Sequence, residues 1–215
     1  MRSETGFRRL VNFSDAVVAI AITLLILPLV DEAGAIGPTT SVHHFLRVHL
    51  TGLVAFLLSF AVIASFWWGQ HRQFERVKGY NGVLVGAMFV WLLSIVFLPF
   101  PTELIQSANR GLPTAHAIYI GTMVVAALAS LVQDWAVVRW PELRHPSAET
   151  PTLDGAIILA VLMTAALVVT VAAPGAGLWP LLLLVLDRPL RRLAGGRRDR
   201  VRALAATKPQ DGQPD

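Results

Sequence analysis

The chain has 215 residues, of which 54% are hydrophobic and only 15% charged, with no cysteine. Soluble domains carry about a quarter of charged residues, and here the charges cluster between long apolar runs, which excludes an ordinary soluble domain. The missing cysteine excludes disulfide frameworks, thiolate metal sites and a thiol nucleophile, while the basic excess suits the retained side of a membrane better than nucleic acid.

The length leaves room for roughly six spans of about 20 residues. The first is expected at residues 13–30, with Ser14 or Asp15 as a natural N-cap and Pro28 bending the last turn. Arg8, Arg9 and the small residues Ala33-Gly34-Ala35 imitate a signal peptide. Asp15 at one end of the apolar run and Asp31-Glu32 at the other favour a retained helix. A Gly-, Pro- and Thr-rich loop follows to Thr40, and a second span is expected at 48–69, ending on the aromatic belt Phe66-Trp67-Trp68.

A basic turn from His71 to Lys78 leads to a third span at 82–98, stopped by Pro99-Phe100-Pro101. The fourth is expected at 114–138, with Gln133 and Asp134 near its end, and the fifth at 155–173. A sixth at 175–190 is interrupted by Pro180. Charge decides in its favour: with six spans and a cytoplasmic N-terminus, sixteen of the eighteen Lys and Arg fall inside, against Arg47 and Arg110 outside. The fold class is therefore all-α, a six-helix membrane domain over 1–193 with both termini cytoplasmic. A basic tail at 194–215 has a composition expected to be disordered.

Asp15 admits two readings: an N-cap on the positive end of a helix, or a member of a polar cluster anchoring that helix. Arg9, Ser14, Asp15, Trp68, His71 and Asn81 all fall at one membrane depth on the cytoplasmic side, which permits a hydrogen-bond network. No metal or catalytic constellation stands out. His43 and His44 are adjacent in a loop, and His116 and His145 are isolated. There is no His-Glu-x-x-His pair, no phosphate loop, and no carbonyl filter of the ordinary potassium-channel type, so neither an enzyme nor a bound cofactor is expected.

The run Arg9-Leu10-Val11-Asn12-Phe13-Ser14-Asp15 resembles the transmembrane protein 175 family of cation channels, whose signature is Arg, three residues, then Phe-Ser-Asp. The following apolar run to Pro28, Trp68-Gly69-Gln70-His71 with Phe74, Asn81, and Pro99-Phe100-Pro101-Thr102 are also similar, so the likeness covers the first half of the chain. It implies a potassium-selective passive channel of modest selectivity, with potassium as the permeant ion. In this resemblance the first helix lines the pore, with hydrophobic rings at Ile20, Leu24 and Leu27 and Thr23 beside them. The spacing places Ile20, Leu24 and Leu27 on one stripe, but periodicity does not choose that face over the one holding Ile22 or Leu25.

The resemblance further implies a homotetramer in a bacterial plasma membrane, its partners being other copies of itself and the bilayer, with no nucleic acid. It assigns Arg9, Phe13, Ser14, Asp15, Trp68, His71 and Asn81 to a structural polar network. The rival expectation is a proton-coupled secondary transporter titrating at Asp15, His71 or Asp134. Ionisable residues at the cytoplasmic ends and the unbroken third and fifth spans favour the channel.

Overall fold

A computed structural model describes residues 4–34, 41–107, 113–146 and 152–173. Within them the chain forms helices α1 (Glu4–Leu24), α2 (Leu27–Gly34), α3 (Val42–Val48), α4 (Leu50–Phe74), α5 (Gly82–Phe97), α6 (Pro99–Ser107), α7 (Pro113–Arg139) and α8 (Asp154–Ala172). They group into five membrane-capable segments, since α1–α2 and α5–α6 are each one run interrupted by a break. The expected sixth span at 175–190 and the tail at 194–215 lie outside the described residues.

Three of the expected helix ends move. The first helix starts at Glu4, not Phe13, so it extends more than two turns before the apolar run. Ser14 and Asp15 are thus mid-helix, and the N-cap reading of Asp15 gives way to a side-chain contact across helices. Near its far end the helix breaks at Leu25-Ile26 and restarts at Leu27. Pro28 is the cause: it has no N–H for the Leu24 carbonyl four residues back, and its ring crowds that carbonyl.

Pro99 marks a second such break, at Leu98. The chain does not leave helical geometry there but starts α6, because proline is tolerated in the first helical turn, where its missing N–H would have no partner. Thr102 reconnects the two pieces, its N–H donating to the Leu98 carbonyl at 3.2 Å. The expected basic turn is shorter than read, since α4 carries His71 and Arg72 to Phe74 before the chain turns. Asn81 begins α5 by accepting the Leu84 N–H on Oδ1 at 2.9 Å.

The core lies between α5, α7 and α8, with α1, α4 and α6 packed around it. Trp91, Ile95, Tyr119, Met123 and Met163 fill it, each 1% exposed or less. Buried alanines at 115, 126, 127, 129 and 136 let α7 approach its neighbours closely, the usual solution where lipid removes the hydrophobic driving force between helices. At one end an isolated antiparallel bridge joins Val77 to Arg144, with Lys78 N–H donating to the Leu143 carbonyl at 2.8 Å.

Candidate pore helix and its polar support

Helix α1 buries one stripe and leaves another bare. Phe7, Ser14, Val18, Ala21 and, beyond the helix, Leu25 face the core, and Ile22 packs against it. Ile20 is 60% exposed, Leu24 41% and Leu27 50%, and Thr23 is also exposed. Among the described residues the Leu25 and Ile22 face is taken, and the Ile20, Leu24 and Leu27 stripe is left exposed. Thr23 donates its hydroxyl to the Ile20 carbonyl at 2.8 Å, three residues back.

The bare stripe is held in place by contacts on the opposite face. Trp67 Nε1 donates to Asp15 Oδ1 at 2.8 Å. The Trp67 indole stacks on His71 with ring centroids 5.4 Å apart, and His71 Nε2 lies 3.7 Å from Glu75 Oε1. Asp15 is therefore tied to α4 through Trp67, the residue beside the one expected. Trp68 is 52% exposed, its ring 5.9 Å from His71 and 6.1 Å from Trp67, and it lies under the Arg72 guanidinium at 5.9 Å.

The other expected members fall apart in position. Arg9 is exposed and makes no ion pair among the described residues. Phe13 is half exposed, its ring 6.2 Å from Phe89 of α5. Ser14 is buried on α1, while Asn81 caps α5 and does not reach toward Asp15. Within one subunit the structure joins Asp15 with Trp67 and His71, and sets Trp68 beside them.

Two further polar groups lie deeper, and sequence depth gave no pointer to either. Ser59 Oγ is 2.9 Å from Thr102 Oγ1 and 3.2 Å from the Tyr119 hydroxyl, tying α4, α6 and α7 together inside the bundle. Gln70 Nε2 donates to Gln133 Oε1 between α4 and α7, with both side chains buried. At the far end Glu32 Oε2 of α2 sits 2.7 Å from His49 Nδ1. Among the described residues no group of three or more His, Cys, Asp or Glu could hold a metal ion.

This arrangement defines a multi-pass helical membrane protein whose first helix is clamped on one face and bare and apolar on the other. Residues 9–99 match the family described as endosomal/lysosomal potassium channel TMEM175. A potassium channel of Streptomyces collinus is 32% identical over 153 residues, covering 69% of this chain and 72% of that one. A potassium channel of Chamaesiphon minutus is 35% identical over 133 residues, covering 59% of this chain and 63% of the relative. The crystal structure of a lysosomal potassium-selective channel TMEM175 homolog from Chamaesiphon minutus superimposes with a TM-score of 0.65 at 24% identity. That match covers 87% of this chain and 97% of that one and shows a shared fold. The chain belongs to the TMEM175 family.

Proposed function

We propose that the chain is one subunit of a passive potassium channel, a homotetramer in a bacterial plasma membrane with both termini in the cytoplasm. The observation that carries this reading is the bare α1 stripe of Ile20, Leu24 and Leu27 opposite a clamped face. One helix cannot enclose a pore, so several copies must close around a symmetry axis, with this stripe turned inward. The relatives named as potassium channels support the permeant ion. No cofactor enters the scheme.

An isoleucine or leucine ring offers a cation no oxygen ligand. A potassium ion passing Ile20, Leu24 and Leu27 keeps part of its hydration shell, and the ring gates by dewetting. Discrimination arises from the cost of stripping water, smaller for potassium than for sodium, so selectivity is modest. Thr23, with its proton committed to the Ile20 carbonyl, presents oxygen lone pairs to a partly dehydrated ion beside the ring. Asp15, Trp67 and His71 act on α1 from behind and fix its rotation; Phe13 adds a ring contact to α5, where Asn81 is the N-cap.

Because the chain has no cysteine, single-cysteine substitution gives a clean test. Ile20→Cys and Leu24→Cys channels are expected to lose current to a thiol reagent bearing a positive charge. Ile22→Cys and Val18→Cys channels are expected to be unaffected. Block at Ile22 and Val18 with none at Ile20 and Leu24 would rotate the pore face away from the proposed stripe.

A further inference from the structure

A cavity of about 570 Å³ opens where α1 begins, α4 ends and the connection from α7 to α8 passes. On the proposed topology this is the cytoplasmic interface, one turn beyond the Trp67-Trp68 belt. Its floor is apolar: Phe7, Phe74 and Val77 are all under 9% exposed, and Phe7 meets Phe74 edge-on at 5.4 Å. Its rim is charged, with Glu4, Arg8, Asn12, His71, Glu75 and His145 around the mouth. Conduction, as derived above, makes no use of it.

The charges on that rim have an order. His71 already engages Glu75. Glu4 and Arg8 stand one turn apart on the same face of α1, about 5–6 Å between their Cβ atoms, and form no ion pair with each other or with another described residue. His145 enters from the other side, held by its backbone N–H donating to the Arg76 carbonyl at 3.0 Å. The mouth thus carries a cation, Arg8, and an imidazole, His145, together with the Glu4 carboxylate. The matching ligand carries an anion and a cation a short linker apart, on an apolar stem that covers the phenylalanines. A soluble zwitterion leaves that floor against water, and a purely anionic lipid leaves the Glu4 carboxylate without a cation from the ligand.

We propose that this cavity binds the head group of a membrane phospholipid of the phosphoethanolamine type, its phosphate on Arg8 and His145 and its ammonium on Glu4. The bound lipid fastens the cytoplasmic extension of α1 to the end of α4, beside the His71 ring that stacks on Trp67, and so reaches the Asp15 contact behind the pore face. The site rests on the membrane topology of the proposed function and not on conduction.

The test is lipid retention by the full chain in native mass spectrometry, from micelles supplemented with phosphatidylethanolamine or phosphatidylglycerol of the same chain length. The wild type is expected to retain phosphatidylethanolamine in preference, one per subunit. Arg8→Gln and Glu4→Gln, both at exposed positions, should each lower retention about fivefold, the effect of losing one interfacial charge contact. Melting temperatures unchanged from wild type separate loss of lipid from loss of fold. Equal retention of both lipids by the wild type, or wild-type retention by both variants, would overturn the assignment. Displacement by an equal concentration of glycerophosphoethanolamine would overturn the membrane lipid as its source. Retention is read without ion flux, so a chain that binds lipid yet fails to conduct potassium refutes only the channel reading.

Discussion

Replacing Trp67 with Phe removes one hydrogen bond and keeps the aromatic stack on His71. The bond lost is the 2.8 Å contact from Trp67 Nε1 to the Asp15 carboxylate. Hydrogen bonds to charged groups are worth about 1.5–3 kcal/mol in soluble proteins, whereas polar contacts between membrane helices average about 0.6 and reach about 1.7 kcal/mol. Asp15 is partly buried, so water competes for it and a loss of about 1–2 kcal/mol is expected. For a chain of this size each kcal/mol moves the melting temperature by roughly 2–4 °C, giving a drop of roughly 2–8 °C.

Trp68→Phe is the matched control. Its indole is half exposed and makes no hydrogen bond to Asp15 within the subunit, so its effect should stay within about 0.5 kcal/mol. Thermal unfolding of the purified channels in one detergent, followed by size-exclusion chromatography after heating, reads both. A Trp68→Phe loss as large as that of Trp67→Phe would show that Asp15 is held by the neighbouring residue or across a subunit boundary. The rotational support of α1 would then need to be redrawn.

Three other substitutions probe separate parts of the scheme. Ile20→Asn places an amide on the proposed constriction and should shift bi-ionic reversal potentials toward equal potassium and sodium permeability; unchanged selectivity would remove Ile20 from the filter. Ser59→Ala deprives Tyr119 and Thr102 of a shared partner inside the bundle, and a loss of about 1 kcal/mol in thermal stability is expected, with ion selectivity unaltered. Gly52→Leu brings a side chain to a position where even a Cβ would stand 3.1 Å from Gln106 Oε1 and 3.3 Å from Leu29 Cδ2. Overpacking of about 1–3 kcal/mol should follow, seen as poor yield of assembled protein, and a well-assembled Gly52→Leu channel would contradict the close approach of α2, α4 and α6.

The sequence was most readable where long apolar runs meet breakers, and α5, α7 and α8 fall within a residue of the stretches read from it. Readability failed where a signal was absent or had two meanings. Residues Glu4 to Asn12 are polar enough to pass for a leader, and only packing of Phe7 against Phe74 and Tyr80 shows why they are helical. Pro99 was read as a stop because proline ends helices, yet the same residue starts one equally well. Pro28 likewise falls in the first turn of α2, and in both segments the helix breaks just before its proline and restarts with it.

Side-chain partners were harder still. Membrane depth placed Asp15 level with Trp68, but adjacent helical residues point 100° apart, and hydropathy does not say that Trp67 is the one that reaches Asp15. Likewise the Ile20 stripe and the Leu25 stripe are equally apolar, and the choice between them came from resemblance until burial separated them. Ser59, Thr102 and Tyr119 lie on three different segments, and no local spacing relates them.

The central claim, that copies of this chain form a passive potassium pathway along the bare face of α1, is tested most directly by flux in liposomes of purified protein. Potassium and sodium movement would be measured with and without an imposed proton gradient. The account predicts current without a proton gradient, reversing near the potassium equilibrium potential. Saturable flux that requires the proton gradient, or equal reversal for the two ions, would contradict it.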